Sequence, residues 1–540
     1  MCARSCARTR NHLLLDDNGL LVRPAPAPIP NGPISVTDVL AHALSERPDH
    51  EALVGRHNRY TFRALDRAAD AAAVALHRCG IKPGDRVAAS LPNQCEIVIA
   101  YLGAMRLGAV WVGINMALAP PEKLYMLRDS ETQLLITTPA IRDALADAPC
   151  RVVVVDPNDG TGDWPDLVAA ALHDNDEPPR PTIDPHAPAA ISYTSGTTGF
   201  PKGAVHSQHN MLWQGAAARE TDPGPSDERH GVLLPLTLLN LIVLGPLFAW
   251  LKDTTCICID RVDALGLRDW LRDEHVTRVT FAPPIVYDLL NHPAVTAADI
   301  ASLRRPECGG AATPHSLRTL FIERFGTAML TGYGLTEAPG GLTREMPHDP
   351  LLAGCSGKAL TPIEVVIVDE HDQPLPPGTA GEICARAVQQ GRWAGVYTPF
   401  LGYWRRPEAT QRALRGGLLH TDDIGQLDDD GRLFVKDRRT DLIVRGGANV
   451  YPAEVERILA DHPGVAACAV LGLPDERLGQ RVGAVLQLRP DCALSHDDLA
   501  GYCREHLARY KVPERWIFVE TFARTPMGKI RKGDLRVLFD

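Results

Sequence analysis

Between about residues 35 and 345, short strand-like runs alternate with helix-like stretches, and few folds accommodate that alternation. Thr61–Gly80 places Leu65, Ala69, Ala72 and Leu76 on one face of a helix that Gly80 closes. Asp85–Pro92 reads as a short strand, Cys95–Gly108 as a second helix and Ala109–Asn115 as a second strand. Parallel strands joined by helices require right-handed crossovers, and the helices must cover the sheet. The expected class is therefore α/β, with a large N-terminal domain of helix-covered sheets.

The pattern changes toward both ends. Residues 1–34 read as an irregular tail, in which Pro24–Pro30 favours an extended, stiff strap. Residues 156–188 are rich in Pro, Asp and Asn and read as an exposed connection with a short helix at Trp164–Leu172. From 354 to 436, short strands joined by Asp/Gly/Pro turns suggest a β-rich subdomain. Near residue 440 a smaller α+β unit begins. Its first helix has Pro452 early and Val455, Ile458 and Leu459 on one face. Strands at Gly464–Leu473, Arg481–Arg489 and Arg515–Glu520 surround a helix near 496–507. The expected organisation is a tail (1–34), a large domain (35–439) and a small C-terminal domain (440–540), with no internal repeat.

Composition excludes several function classes. Lys plus Arg number 56 against 66 Asp plus Glu, a net charge of −10, which leaves no general footprint for nucleic acid. The 13 cysteines are scattered without a CxxC pair, which argues against a disulfide framework or a zinc site and for a reducing cytosol. The three leucines near the start are too short a run for a secretory signal. Gly231–Leu251 is uncharged and long enough to span a bilayer, but Pro235, Asn240, Gly245 and Pro246 interrupt it. It reads as a buried, pocket-lining segment. No integral membrane span is expected, and the location expected is cytoplasmic, with a peripheral place at a membrane left open.

The strongest chemical signal is Tyr193–Gly203, YTSGTTGFPKG. A strand runs into Thr194, Ser195, Gly196, Thr197 and Thr198, followed by Lys202. Glycines let a backbone approach a polyanion, hydroxyl and N–H groups donate to phosphate oxygens, and lysine adds a point charge. The ordinary P-loop is excluded, because it needs Gly-Lys-Ser/Thr and this chain has Phe200-Pro201-Lys202-Gly203. In Gly332–Ala338, Tyr333 offers an aromatic plane to a base, Thr336 a donor to phosphate and Glu337 a hard oxygen ligand for Mg²⁺. Taken alone, Thr336-Glu337 also fits a helix cap. Asp423 could serve ribose hydroxyls or simply a turn, and an arginine such as Arg438 suits ribose or phosphate oxygens.

These motifs, in this order, closely resemble the adenylate-forming acyl-CoA synthetase superfamily, also called AMP-binding enzymes. The resemblance runs from about residue 35 to 535. It implies an ATP-dependent, AMP-forming acid–thiol ligase using ATP, Mg²⁺ and CoA. Thr336 would contact the α-phosphate and Glu337 the metal. Gly309, Gly310 and Ala311 would border adenine and the acyl group, with Gly332 and Tyr333 toward the nucleotide and Gly334 toward the acyl pocket. Asp423 and Arg438 would hold the ribose. Thr440 would be the hinge of a mobile C-terminal domain, and Gly446-Gly447 would line the path of CoA, a role compatible with a tight turn between strand and helix. Lys529, in the RTPMGKI segment, would stabilise charge during adenylation. A solvated basic tail is the bland alternative.

Three positions depart from the superfamily pattern. Asp422 stands where glycine is usual, Thr440 where Asp or Lys is usual, and Leu238 where a histidine usually gates the acyl site. With the apolar run after it, Leu238 suggests a hydrophobic acid: fatty, alicyclic, aromatic or a steroid side chain. Core packing would explain the same leucines. The reaction implied has two steps, carboxylate plus ATP to acyl-AMP and pyrophosphate, then CoA to acyl-CoA and AMP. Alternatives are an acyl-AMP ligase that loads a carrier protein, a luciferase-like oxidase and a non-catalytic nucleotide-binding protein. The expected partners are a small carboxylic acid, ATP and CoA, with a homodimer left open.

Overall fold

Thr61 accepts the N–H of Ala64 on its hydroxyl and starts the helix Phe62–Arg78; Gly80, at φ +89°, lets the chain turn out of it. The next helix, Cys95–Leu107, packs against the first with almost no spacing. A Cβ at Gly103 would lie 2.6 Å from that of Ala72, so the small residues of both helices set the approach. Their apolar faces join one large core that also takes in Trp111, Trp213 and Trp250. This computed structural model describes residues 13–174, 176–194, 200–309, 313, 315–438, 443–450, 452–489, 492–523, 530 and 532–539.

Two large sheets carry the α/β pattern. Arg86–Ser90, Val110–Gly113, Thr132–Thr137, Arg151–Val154 and Pro188–Thr194 run parallel to their neighbours, and Lys202–Ser207 and Gly402–Tyr403 extend this sheet antiparallel. The second sheet has a parallel half built from Glu51–Val54, Thr255–Cys258, Arg229–Val232, Arg278–Phe281, Arg305–Cys308 and Leu330–Leu335. The β-rich stretch after residue 354 continues that same sheet. The hairpin Leu330–Leu335/Ala338–Arg344 joins the parallel strands to the antiparallel strands Cys355–Ala359, Arg432–Arg438, Leu419–Leu427, Gly381–Ala387 and Ile363–Val368.

The proline-rich strap is extended and tied down. Leu21 N–H donates to the Leu401 carbonyl, Ala27 N–H to that of Gly395, and Arg23 to that of Pro399. Within the uncharged Gly231–Leu251 segment, Leu239–Leu251 is helical, and Pro246 falls in a wider turn at Val243–Leu247 that absorbs its missing N–H. Among the described residues no helix is long and apolar enough to cross a membrane.

The C-terminal unit has its own sheet of Ala448–Val450, Ile443–Arg445, Gly479–Leu488, Val465–Asp475 and Arg515–Phe518. The helices Pro452–Asp461 and His496–His506 pack over it through Val455, Leu459, Leu499 and Cys503. The described cysteines are all free thiols.

Candidate active site

The phosphate-loop candidate begins and ends on adjacent strands. Thr194 pairs with Lys202 across the antiparallel ladder of Pro188–Thr194 and Lys202–Ser207, so these two residues stand side by side at the ends of neighbouring strands. Ser195, Gly196, Thr197 and Thr198 lie outside the described residues. Lys202 is half-buried, with Nζ 4.8 Å from the ring centroid of Tyr403. Burial lowers the pKa of its ammonium group, and the Glu337 carboxylate opposes that.

Thr336 and Glu337 form the two-residue tip of the Leu330–Leu335/Ala338–Arg344 hairpin, since Leu335 pairs with Ala338. The helix cap that Thr-Glu suggests in isolation is absent here; strand pairing takes the backbone instead. Gly332 and Gly334 belong to this hairpin's packing. A Cβ at Gly332 would lie 2.6 Å from the Thr343 carbonyl oxygen, and one at Gly334 2.6 Å from Gly341 Cα. Glu337 Oε1 accepts the Tyr403 hydroxyl at 2.5 Å, and the Glu337 carbonyl accepts the N–H of Phe400 at 2.9 Å. Tyr403 reaches it because its short strand pairs beside Ala204. Lys202, Glu337 and Tyr403 thus converge from three separate segments. The fully buried His206, on the strand that begins at Lys202, meets the Asn210 amide at Nδ1 at 3.2 Å; burial pulls its imidazole down to about 3, so it is neutral.

Asp423 and Arg438 are cross-strand partners on Leu419–Leu427 and Arg432–Arg438. Asp423 is buried and accepts the Tyr333 hydroxyl at 2.6 Å, which fixes the ring of Tyr333 by its far end. The neighbouring Asp422 takes a left-handed φ of 58° with its side chain exposed. Its N–H donates to Glu382 Oε1 at 3.2 Å, and Glu382 Oε2 meets His420 Nδ1 at 3.2 Å and Arg415 at 3.0 Å. Burial would raise the Glu382 carboxyl, but His420 and the Arg415 charge outweigh it and hold it at about 2. Glu382, Cys384 and His420 bring three potential ligand atoms within 4.8 Å of one another. Arg415 already neutralises that carboxylate, and burial keeps Cys384 a thiol. The trio therefore braces the turn before Asp423.

Leu238 is 40% exposed and directly precedes the helix Leu239–Leu251. Asn240 Nδ2 donates to the Leu335 carbonyl at 3.5 Å, so the start of this helix lies against the Thr336-Glu337 hairpin. Gly309 follows the strand Arg305–Cys308, with its N–H on the Phe281 carbonyl at 3.0 Å. Among the described residues a Cβ there would meet the Thr280 methyl at 3.6 Å, an ordinary contact. Gly310 and Ala311 lie outside the described residues.

Gly446 and Gly447 form a tight turn, as the alternative reading held, but between two strands rather than a strand and a helix. Arg445 pairs with Ala448, and both glycines have positive φ, 60° and 82°, as a two-residue hairpin loop requires. The turn presses on the large unit. A Cβ at Gly446 would lie 3.0 Å from Pro284 Cγ, and one at Gly447 3.0 Å from Ala282 Cβ. Thr440 and Lys529 lie outside the described residues.

Sequence reasoning missed Tyr403 and Glu382. Tyr403 lies just before Pro407–Ala413 and reads locally as a turn residue ahead of a helix. Glu382 reads as one polar position of a strand.

Residues 40–392 match the AMP-binding enzyme family and residues 454–529 the AMP-binding enzyme C-terminal domain. A feruloyl-CoA synthase from Amycolatopsis sp is 35% identical over 94% of this chain and 98% of its own length. The long-chain-fatty-acid–CoA ligase FadD13 of Mycobacterium tuberculosis is 34% identical over 88% of this chain and 93% of its own. Among solved structures, a double mutant of o-succinylbenzoate CoA synthetase from Bacillus subtilis, bound with its product analogue OSB-NCoA, superposes with a TM-score of 0.81. It shares 26% identity and covers 93% of this chain and 98% of its own.

Proposed function

Since the chain belongs to the AMP-binding enzyme family, we propose that the residues gathered around Lys202, Glu337 and Asp423 carry out its two-step chemistry. The protein is an ATP-dependent, AMP-forming acid–CoA ligase for a hydrophobic carboxylic acid. The acids named for the feruloyl-CoA synthase and the long-chain ligase are both hydrophobic. The observation that carries the reading is the convergence of Lys202 and Glu337 on Tyr403, beside a Tyr333–Asp423 pair.

A carboxylate is a poor electrophile, because its leaving group would be oxide. One carboxylate oxygen attacks the α-phosphorus of ATP, the bond to pyrophosphate breaks, and an acyl adenylate forms. The CoA thiol then attacks the acyl carbonyl, loses its proton, and AMP leaves with the bridging oxygen. Placement and neutralisation of charge dominate such transfers. Thr194, Ser195, Gly196, Thr197 and Thr198 donate to the outer phosphates beside Lys202. Thr336 donates to the α-phosphate. Tyr333, anchored by Asp423, offers its ring to adenine near Gly310, Ala311 and Gly332. Asp423 and Arg438 take the ribose. Leu238, Gly309 and Gly334 border the acyl group; among the described residues a Cβ at 309 would meet nothing closer than the Thr280 methyl at 3.6 Å, which is compatible with a ligand there.

Mg²⁺ fits this donor set. Magnesium prefers one or two carboxylates plus substrate phosphate oxygens, and Glu337 is a carboxylate held in place by Tyr403 beside a lysine. When bound, it would draw negative charge from the phosphates. Lys529 supplies positive charge during adenylation, and rotation about Thr440 exchanges it for the Gly446-Gly447 turn, which guides CoA. The whole-chain likeness to a synthetase bound with its CoA product analogue supports reading the present orientation as the CoA-accepting one.

The test is a pyrophosphate-release screen over short, medium and long fatty acids, benzoates, cinnamates and bile-type acids, with mass detection of the CoA product. Release with a hydrophobic acid and a matching acyl-CoA is expected. An acid-dependent release whose acyl group reaches only carrier proteins would move the reading to a carrier-loading ligase.

A further inference from the structure

A lysine is buried where the C-terminal unit meets the large one. Lys511 is 3% exposed, with Nζ 2.5 Å from Glu122 Oε1 and 2.8 Å from Glu454 Oε1. Glu122 sits in the first turn of the helix Pro120–Asp129, in the large unit. Its other oxygen accepts the N–H of Ala119, at its own helix start, at 2.7 Å and the N–H of Ala508, across the interface, at 2.8 Å. Glu454 opens the helix Pro452–Asp461, and Lys511 ends the short turn Arg509–Lys511. Two of the three charges therefore belong to the C-terminal unit and one to the large unit.

The balance of charge makes this contact reversible. Two carboxylates share one ammonium, and Glu454 Oε2 is buried without a hydrogen-bond partner among the described residues. Burial raises the Glu454 carboxyl against the pull of Lys511; for Lys511, burial works to lower the ammonium, but Glu454, Tyr510 and Glu122 together outweigh it and hold it above its usual range. An ordinary buried ion pair resists separation because one charge stays behind unpaired. Here, if the C-terminal unit turns, Lys511 and Glu454 leave together as a matched pair. Glu122 returns to water and keeps its bond to Ala119.

Around this contact, Ala508 and Tyr510 join an apolar cluster with Leu118, Met126 and Leu127 of the large unit. Arg477 and Asp288 meet at 3.3 Å with both side chains about half exposed, a pair of little energetic weight. The Gly446-Gly447 turn abuts Ala282 and Pro284.

We propose that Glu122 is a positioning residue for the CoA half-reaction: by gripping Lys511 and the Ala508 N–H, it holds the C-terminal unit with the Gly446-Gly447 turn against Ala282–Pro284. This rests on the two-step reading above. Glu122 touches neither substrate, so its loss should change the balance between the two half-reactions rather than the chemistry of either.

The experiment measures the halves separately in the full-length protein. Adenylation is read as pyrophosphate release without CoA, and thioester formation as CoA consumption with a synthetic acyl-adenylate of an acid the wild type accepts. Glu122→Gln should slow thioester formation by about five- to hundredfold, the range of typical coupling energies, and leave adenylation unchanged or faster. Lys511→Gln should split the halves in the same direction, and Arg477→Ala should leave their ratio alone. Equal loss in both halves for Glu122→Gln and Lys511→Gln would mean a general structural role and overturn the proposal. So would an unaltered thioester rate in Glu122→Gln, while the two-step reading would stand. A wild type that releases no pyrophosphate with any acid overturns both.

Discussion

Tyr403 shows how a single side chain can organise a site it does not announce. Its hydroxyl binds Glu337 at 2.5 Å and its ring lies 4.8 Å from the Lys202 ammonium, so one residue holds both the proposed metal ligand and the proposed phosphate lysine. A hydrogen bond to a charged group contributes about 1.5–3 kcal/mol. Tyr403→Phe keeps the ring and removes the bond, so kcat/KM for ATP should fall about ten- to hundredfold. More Mg²⁺ should be needed for half-maximal rate. A Mg²⁺ titration identical to wild type would detach Tyr403 from the metal ligand. Asp422 is the opposite case, a departure visible in sequence whose cause is local. At φ 58° an aspartate is strained by roughly 1 kcal/mol, whereas glycine is not. Asp422→Gly should gain less than about 1 kcal/mol, because glycine also loosens the unfolded chain. It should lower the KM for ATP by removing a carboxylate beside Asp423. Denaturant unfolding and ATP kinetics check both, and a raised KM would show that Asp422 assists the nucleotide. Lys202, Glu337 and Asp423 could be located from motifs, because those motifs are contiguous. Tyr403 could not, because it lies 66 positions from the carboxylate it binds.

At the scale of elements, periodic pieces were readable and turn tips were not. The helix Phe62–Arg78 follows from its apolar spacing and its capping threonine, and Pro452–Asp461 from an early proline and one apolar face. Thr336-Glu337 carries no such periodicity. Its conformation is set by pairing with Ala338–Arg344, and the glycines that permit the pairing also weaken any strand signal. The Gly446-Gly447 turn was recognisable as a turn, but what followed it depended on the pairing of Ile443–Arg445 with Ala448–Val450. The helix Leu239–Leu251 gives the acyl side its testable feature, since exposed Leu238 stands at its start near the hairpin. Each contacting methylene removed costs about 0.8 kcal/mol, so Leu238→Ala should weaken acids that touch it severalfold, and bulkier acids should gain from the space. The KM for ATP should stay constant. A kcat/KM profile over a graded acid series decides this. A uniform drop across all acids would detach Leu238 from the acyl group and remove the main sequence support for a hydrophobic acid.

For the whole molecule, alternation foretold parallel sheets, but not that the β-rich stretch would extend one of them. That join depends on contacts distant in sequence, such as Cys355 with Phe434, which no local pattern encodes. The buried Glu122–Lys511 contact was hidden for the same reason, being 389 positions apart. The central claim is that one site makes an acyl adenylate and then passes the acyl group to CoA. It is tested most directly by following the oxygen atoms. A hydrophobic acid the enzyme accepts, with both carboxylate oxygens isotopically heavy, is incubated with the protein, ATP, Mg²⁺ and CoA, and the AMP is analysed by mass. Attack at the α-phosphorus followed by thiol attack at the carbonyl must leave one heavy oxygen on the phosphate of AMP and one on the thioester. ADP in place of AMP, or AMP without the label, would contradict the account.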